Sequence, residues 1–265
     1  MKAASVRRPA VAGMFYPADP RELRAMISEF MDQAAPARRA PKAVIAPHAG
    51  YVYSGPIAAS VYAQVAPAAR QIRRVILFGP SHRVPFTGLA ASGADAFATP
   101  LGEVPLDREI LPSLADLKQV RVLDQAHAQE HSLEVQLPFL QHVLPSFKLV
   151  PLAVGDASPK EVAEVMDRLW GGPETLVVVS SDLSHYNDYK TASRMDRATS
   201  DAIEQLRPEA IDYEQACGRI PIAGLLLVAR KRGLKARTVD LRSSGDTAGP
   251  RDEVVGYGGY VFDEE

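Results

Sequence analysis

The 265-residue chain predicts an α/β fold, a layered sandwich whose central sheet is mainly parallel or mixed and is covered by helices on both faces. Three observations lead there. Short apolar, β-branched runs alternate along the chain with amphipathic segments, the order that builds a covered sheet. Three of these runs share one design and stop at a loop bearing histidine: Val44 to His48, Val75 to His82, and Val177 to His185. Apolar residues make up 46% of the chain and charged residues 23%, enough for a sizeable core and unlike a disordered composition.

Taken in order, Asp19-Pro20 followed by Leu23, Met26, Ile27, Phe30 and Met31 gives a cap, a first-turn proline and one apolar face, so a helix begins there. Ala43 to Ala46 is the first buried strand, and Ile57, Val61 and Val65 mark a helix that packs back on the sheet. Val75 to Phe78 is the second, with Leu89 to Ala91 a further short strand and Leu106 to Leu117 a helix. Leu133, Leu137 and Leu140 have helical spacing, but Pro138 is expected to kink or end that helix. Lys148 to Val154 returns to the sheet, and Ser158-Pro159-Lys160-Glu161 is a capping box opening an amphipathic helix. Leu176 to Val179 is the third histidine-bearing strand, Ala192 to Leu206 and Pro221 to Lys231 are helices, and Gly256 to Phe262 is a closing strand. Nothing in the composition divides the chain, so residues 1–265 are read as one domain.

The formal charge of -2 arises from 30 basic and 32 acidic residues without long blocks, which argues against nucleic acid as a partner. No apolar run reaches the length of a membrane span, and Lys2, Arg7 and Arg8 precede no apolar signal-peptide core. The single cysteine, Cys217, leaves a free thiol that suits a reducing compartment, so the expected location is cytoplasmic.

In a sheet with parallel strands, the strand ends that gather on one edge are where ligands bind. His48 and His82 follow consecutive buried strands, each beside a proline and near a glycine, and together they read as metal ligands. Imidazole suits zinc, copper, iron and nickel alike. Asp182 and His185 lie three residues apart, as on a tight turn or first helical turn, so the carboxylate is expected to orient an acid/base histidine or to contact the metal. Cys217 stands just ahead of the helix near Pro221, where a helix N-terminus favours thiolate. A competing signal is His127-Ala128-Gln129-Glu130-His131, the H-x-x-E-H pattern of a zinc hydrolase. It lacks an apolar helical face upstream, so Glu130, His131 and Glu134 read instead as flanking the cleft or satisfying loop backbone.

The motifs Arg8-Pro9-Ala10-Val11-Ala12-Gly13-Met14-Phe15-Tyr16-Pro17, Ala46 to Tyr51, Gly79 to His82, Glu130 to Glu134, Ser180 to Tyr186 and Cys217 to Ile222 resemble the Memo family. That group includes the eukaryotic mediator of ErbB-driven cell motility and the prokaryotic AmmeMemoRadiSam system protein B. The resemblance implies a fold like that of class III extradiol dioxygenases, with a metal held by His48, His82 and Cys217 and with Asp182 and His185 lining the site. Where the dioxygenases use a carboxylate as third ligand, this chain has cysteine, whose softer thiolate favours copper or zinc. The implied cofactor is a divalent or redox-active metal ion, iron or copper first and zinc as the alternative. The implied function is a metal-dependent redox enzyme acting on an unidentified small molecule, with a pathway link to radical S-adenosylmethionine and AMMECR-type proteins. The alternatives are a non-catalytic metal- or partner-binding module and, third, the zinc hydrolase.

Overall fold

The β-branched runs pair side by side, as their continuous apolarity requires of strands covered on both faces. The structure is a computed structural model that describes residues 5–264, so Lys2 lies outside the described residues. In chain order the strands are β1 (Val6–Arg7), β2 (Ala43–Ala46), β3 (Arg74–Pro80), β4 (Leu89–Ala91), β5 (Ala96–Thr99), β6 (Gly102–Pro105), β7 (Val120–Val122), β8 (Lys148–Val154), β9 (Thr175–Ser180), β10 (His185–Asn187), β11 (Lys235–Ser243) and β12 (Val254–Asp263). The helices are α1 (Pro20–Asp32), α2 (Tyr51–Val65), α3 (Gln125–Ala128), α4 (Leu137–Val143), α5 (Pro159–Arg168), α6 (Tyr189–Glu204), α7 (Arg219–Arg232) and α8 (Ser244–Thr247).

Among the described residues the main sheet has nine strands in the order β10-β12-β2-β9-β3-β8-β4-β7, with β11 also paired to β12. At its centre β2, β9, β3 and β8 run parallel. The flanks turn antiparallel, β12 against β2 and β4 against β8, so the sheet is mixed. A smaller sheet of β1, β5 and β6 stands apart.

The two-residue side-chain period of the central strands divides the core. Val44, Ala46, Val75, Leu77 and Val178 face one cluster, with Leu23 and Ile27 of α1, Val61 of α2 and Leu140 of α4. Ala43, Ile45, Ile76, Phe78 and Val179 face the other, with Val165 of α5, Ile203 of α6 and Leu226 of α7. Helix α7 lies tightly on α5 because Gly224 carries no side chain; a Cβ there would stand 2.6 Å from Val162 Cγ1. The caps form as the sequence indicates: Asp19 accepts from the N–H groups of Arg21 and Glu22, and Ser158 and Glu161 complete a capping box.

Two elements differ from expectation. Leu106 to Leu117 is not an α-helix: Leu106 bridges Leu149, and Arg108–Leu114 is a 3-10 helix containing Pro112, which has no N–H to give an α-helical ladder. Pro138 does not end a helix but sits in the first turn of α4, where a missing N–H costs nothing. Among the described residues no helix is long and apolar enough to cross a membrane.

Candidate metal centre

The four parallel strands release their chains on one edge, and the site is built there. Ala46 of β2 pairs with Ser180 of β9, and Phe78 of β3 with Val179. The loops that follow bring His48, His82 and Asp182 to the floor of a cleft of about 960 Å³, with Gly155 and Asp156 arriving from the end of β8. Cys217, Arg219 and Pro221, at and just before the start of α7, form part of a wall.

His48 is buried, and its ring is fixed by hydrogen-bond bookkeeping. Ser180 Oγ donates its one hydrogen to the Ser132 carbonyl at 2.6 Å and accepts from Gln136 Nε2 at 2.8 Å. Gln136 is itself oriented, since Nε2 also donates to the Pro47 carbonyl and Oε1 accepts from the Tyr62 hydroxyl. His48 Nδ1, 2.9 Å from Ser180 Oγ, must therefore carry the hydrogen. Its Nε2 keeps a lone pair. His82 follows the same logic: Nδ1 lies 2.9 Å from Glu130 Oε1, an acceptor only, so Nε2 is again the free nitrogen. Burial pushes the Glu130 carboxyl up, yet its bonds with the His82 ring and with the N–H groups of His82 and Ser132 hold it at about 2.

His131 completes the group. Its ring stacks on that of His82 at 4.6 Å between centroids and meets the His48 ring edge-on at 5.4 Å. One ligand nitrogen from each of His48, His82 and His131 lies within 4.8 Å of the others. His131 Nδ1 is buried without a hydrogen-bond partner, an orphaned polar atom beside two free nitrogens. Burial holds the His48 pKa well below its ordinary value, aided by the neighbouring imidazoles, and burial likewise lowers His131. Neutral imidazoles are what a cation requires. The His131 loop fits under the end of β3 because residue 79 is glycine; a Cβ there would stand 2.8 Å from Ser132 Oγ.

Cys217 reaches one member of the group, His48, and is not among the three residues whose ligand atoms all lie within 4.8 Å of one another. Its Sγ is 3.4 Å from His48 Nε2 and accepts the Asp182 N–H at 3.3 Å. Metal bonds of about 2.0 Å to nitrogen and 2.3 Å to sulfur put tetrahedral neighbours roughly 3.5 Å apart, so the pair fits one ion. The N-terminus of α7 does not make this thiol acidic, contrary to the sequence reading. Burial and then the Asp182 carboxylate push it up to about 12.

Asp182 departs from one of its two expected roles, the orienting of His185. No helical turn joins it to His185; the connecting residues are non-helical and His185 opens β10. Asp182 Oδ1 instead accepts the His48 backbone N–H at 2.7 Å, while Oδ2 lies 3.9 Å from His48 Nε2. Burial raises the Asp182 pKa. His185 donates from Nδ1 to the Leu183 carbonyl at 2.8 Å, so a backbone oxygen and not Asp182 sets its tautomer. That leaves Nε2 as the basic nitrogen of a residue lining the cleft. The next residue, Tyr186, is exposed and left-handed at φ 59, a strained conformation for a bulky side chain.

His127 does not join His131. Helix α3 stops at Ala128, so the two histidines never lie one helical turn apart on a common face. The His127 ring packs on Phe97 at 5.6 Å, and Nε2 meets the Ala90 carbonyl at 3.0 Å. Of the H-x-x-E-H pattern, only Glu130 and His131 belong to the centre. Sequence reasoning puts His131 at the margin of the site; the signal available there is the alternation of the polar residues Glu130, Ser132, Glu134 and Gln136, all of which the fold buries.

Comparison with known proteins places this architecture. The chain matches the Memo-like protein family over residues 7–261. It is 37% identical to a MEMO1 family protein of Saccharolobus islandicus, covering 95% of this chain and 97% of the relative. It belongs to the Memo family. Further relatives are MEMO1 family proteins of Aquifex aeolicus, 35% identical, and Archaeoglobus fulgidus, 37% identical, each aligned over 97% of this chain and 99% of the relative. In this Memo-family chain the motifs scattered from Arg8 to Ile222 meet at the cleft and its supports. Arg7, Ala10, Val11 and Tyr16 bond to Glu134, three residues beyond His131.

His127 gives the protein a measurable acid sensitivity. Burial holds its pKa at about 4, against 6.5 for the ordinary group. The unfolded chain therefore binds the proton first, so this contribution is whole above pH 6.5 and lost as pH falls through 4. The loss is roughly 3 kcal/mol. Denaturant titrations across that interval should show His127→Gln, which can still donate to Ala90, declining less steeply than wild type; parallel declines would contradict the assignment.

Proposed function

We propose that this Memo-family protein is a metal-dependent oxidoreductase acting on a small molecule in the cleft, on a scaffold like that of class III extradiol dioxygenases. The observation that carries the reading is the convergence of three imidazoles, two of them with Nδ1 turned to a defined hydrogen bond and Nε2 toward the others, at the foot of an open cleft. A purely structural metal site is closed by its ligands, whereas a catalytic one keeps a position open. His48, His82 and His131 would hold the ion, and Cys217, whose Sγ is 3.4 Å from His48 Nε2, would add a sulfur bond as thiolate. Bound iron or copper supplies one-electron redox chemistry; zinc is the alternative occupant. Asp182 anchors the His48 backbone, and His185 accepts or delivers a proton at Nε2. The single thiol in the centre suits the reducing cytoplasm.

The test is anaerobic purification followed by metal identification and optical spectroscopy. Iron or copper with a thiolate-to-metal absorption band, lost in Cys217→Ser, is expected. Zinc alone, with no band and no oxygen uptake on catechol or thiol substrates, would reduce the protein to a metal-binding module.

A further inference from the structure

We propose that Arg219 selects the substrate, receiving an oxyanion, carboxylate or phosphate-like, of an organic molecule whose apolar body lies along the cleft toward the histidines. This rests on the preceding reading of the cleft as a substrate site. Among the described residues that line the cleft, Arg219 is the only lysine or arginine. Several guanidinium groups elsewhere meet carboxylates, as Arg7 does Glu134, Arg74 does Asp107 and Arg242 does Asp240. Arg219 is half-buried and its contact is with a ring, its Cζ lying 5.4 Å from the centroid of the exposed Tyr213.

That arrangement leaves the planar donor fork available to a ligand. Arginine pairs with carboxylate and phosphate through two parallel hydrogen bonds, and stacking on an aromatic ring holds the fork in place without using its donors. One residue, Gly218, separates Arg219 from Cys217, a reach of at most about 7 Å along the backbone, so an anion held here extends the rest of its molecule toward the histidines. Phe86, Val154, Ile220 and Pro221 give that body apolar walls. Asp156 and Glu214 stand exposed at the cleft. They disfavour a second negative charge, so the fitting substrate has one anionic end.

Three probes test this in the protein as purified and after chelator treatment: benzoate, its neutral isostere benzamide, and phenylphosphonate. Calorimetric titration should show an anion binding wild type at least about ten-fold more tightly than benzamide. Arg219→Met should erase that preference, and Arg219→Lys, which keeps the charge but not the fork, should retain part of it. The tighter of benzoate and phenylphosphonate identifies the oxyanion. Equal anion affinity in wild type and Arg219→Met, or no saturable anion binding to wild type, overturns the proposal. Metal content and unfolding temperature of Arg219→Met should match wild type. Wild type found unable to bind metal would refute the metal-centre reading alone, because Arg219-dependent binding is measured in stripped protein as well. Normal metal content with unaltered benzoate affinity in Arg219→Met would refute this inference alone.

Discussion

Alanine at His131 is expected to abolish the proposed metal binding: bound ion, measured by mass spectrometry after gel filtration, should fall from about one per chain to below about a tenth. His48→Ala and His82→Ala give the same result, because each removes one of three nitrogens that lie within 4.8 Å of one another. Two imidazoles cannot hold an ion against water and buffer as three do. Glu130→Gln gives a graded outcome. It keeps all three rings but removes the carboxylate that fixes the His82 tautomer, and the affinity falls about 10- to 100-fold. A different pattern would reassign the site. If His131→Ala retains its ion while Cys217→Ser loses it, the sulfur is the third ligand and the His131 ring serves only to stack on His82.

The second large effect is on stability. Glu134 is buried and accepts from the Arg7 guanidinium, the N–H groups of Ala10 and Val11 at 2.7 and 3.0 Å, and the Tyr16 hydroxyl at 2.5 Å. Glu134→Ala leaves a guanidinium that is 7% exposed without its counterion and strands the other donors. Removing one partner of a buried pair costs about 3–5 kcal/mol, read as a lower urea midpoint at unchanged slope. Glu134→Gln, which keeps the shape and one acceptor, falls between. A loss under about 1 kcal/mol would show the pair to behave like an exposed one. The damage should reach the candidate metal centre, because Glu134 begins the turn that follows His131.

The strands and the first two histidines of the candidate centre were legible because local chemistry decides their positions. A β-branched run that stops at a polar loop bearing histidine, with proline in the first two cases, carries its own boundary, and β2, β3 and β9 form at those positions. The caps at Asp19 and Ser158 are equally local. Cys217, distant in sequence, does reach His48. What stayed hidden depends on distant partners. His131 sits in a loop whose shape is set by Glu130 bonding to His82 and by Ser132 bonding to Pro80, contacts no window of sequence contains. The Cys217 thiol was read from its place before a helix, but burial and Asp182 outweigh the helix end. The small sheet of β1, β5 and β6 joins residues about ninety positions apart in its first pair, and so escaped a reading by periodicity.

The order of strands has a consequence for how the molecule comes apart. His48, His82 and Asp182 hang from β2, β3 and β9, neighbours bonded to one another at the middle of the sheet, whereas β7, β10 and β11 lie at its borders. Amide protons at the borders should exchange with deuterium long before those in the middle. A gently warmed molecule, frayed at its margins, keeps its paired imidazoles in register and surrenders them only when the whole sheet melts.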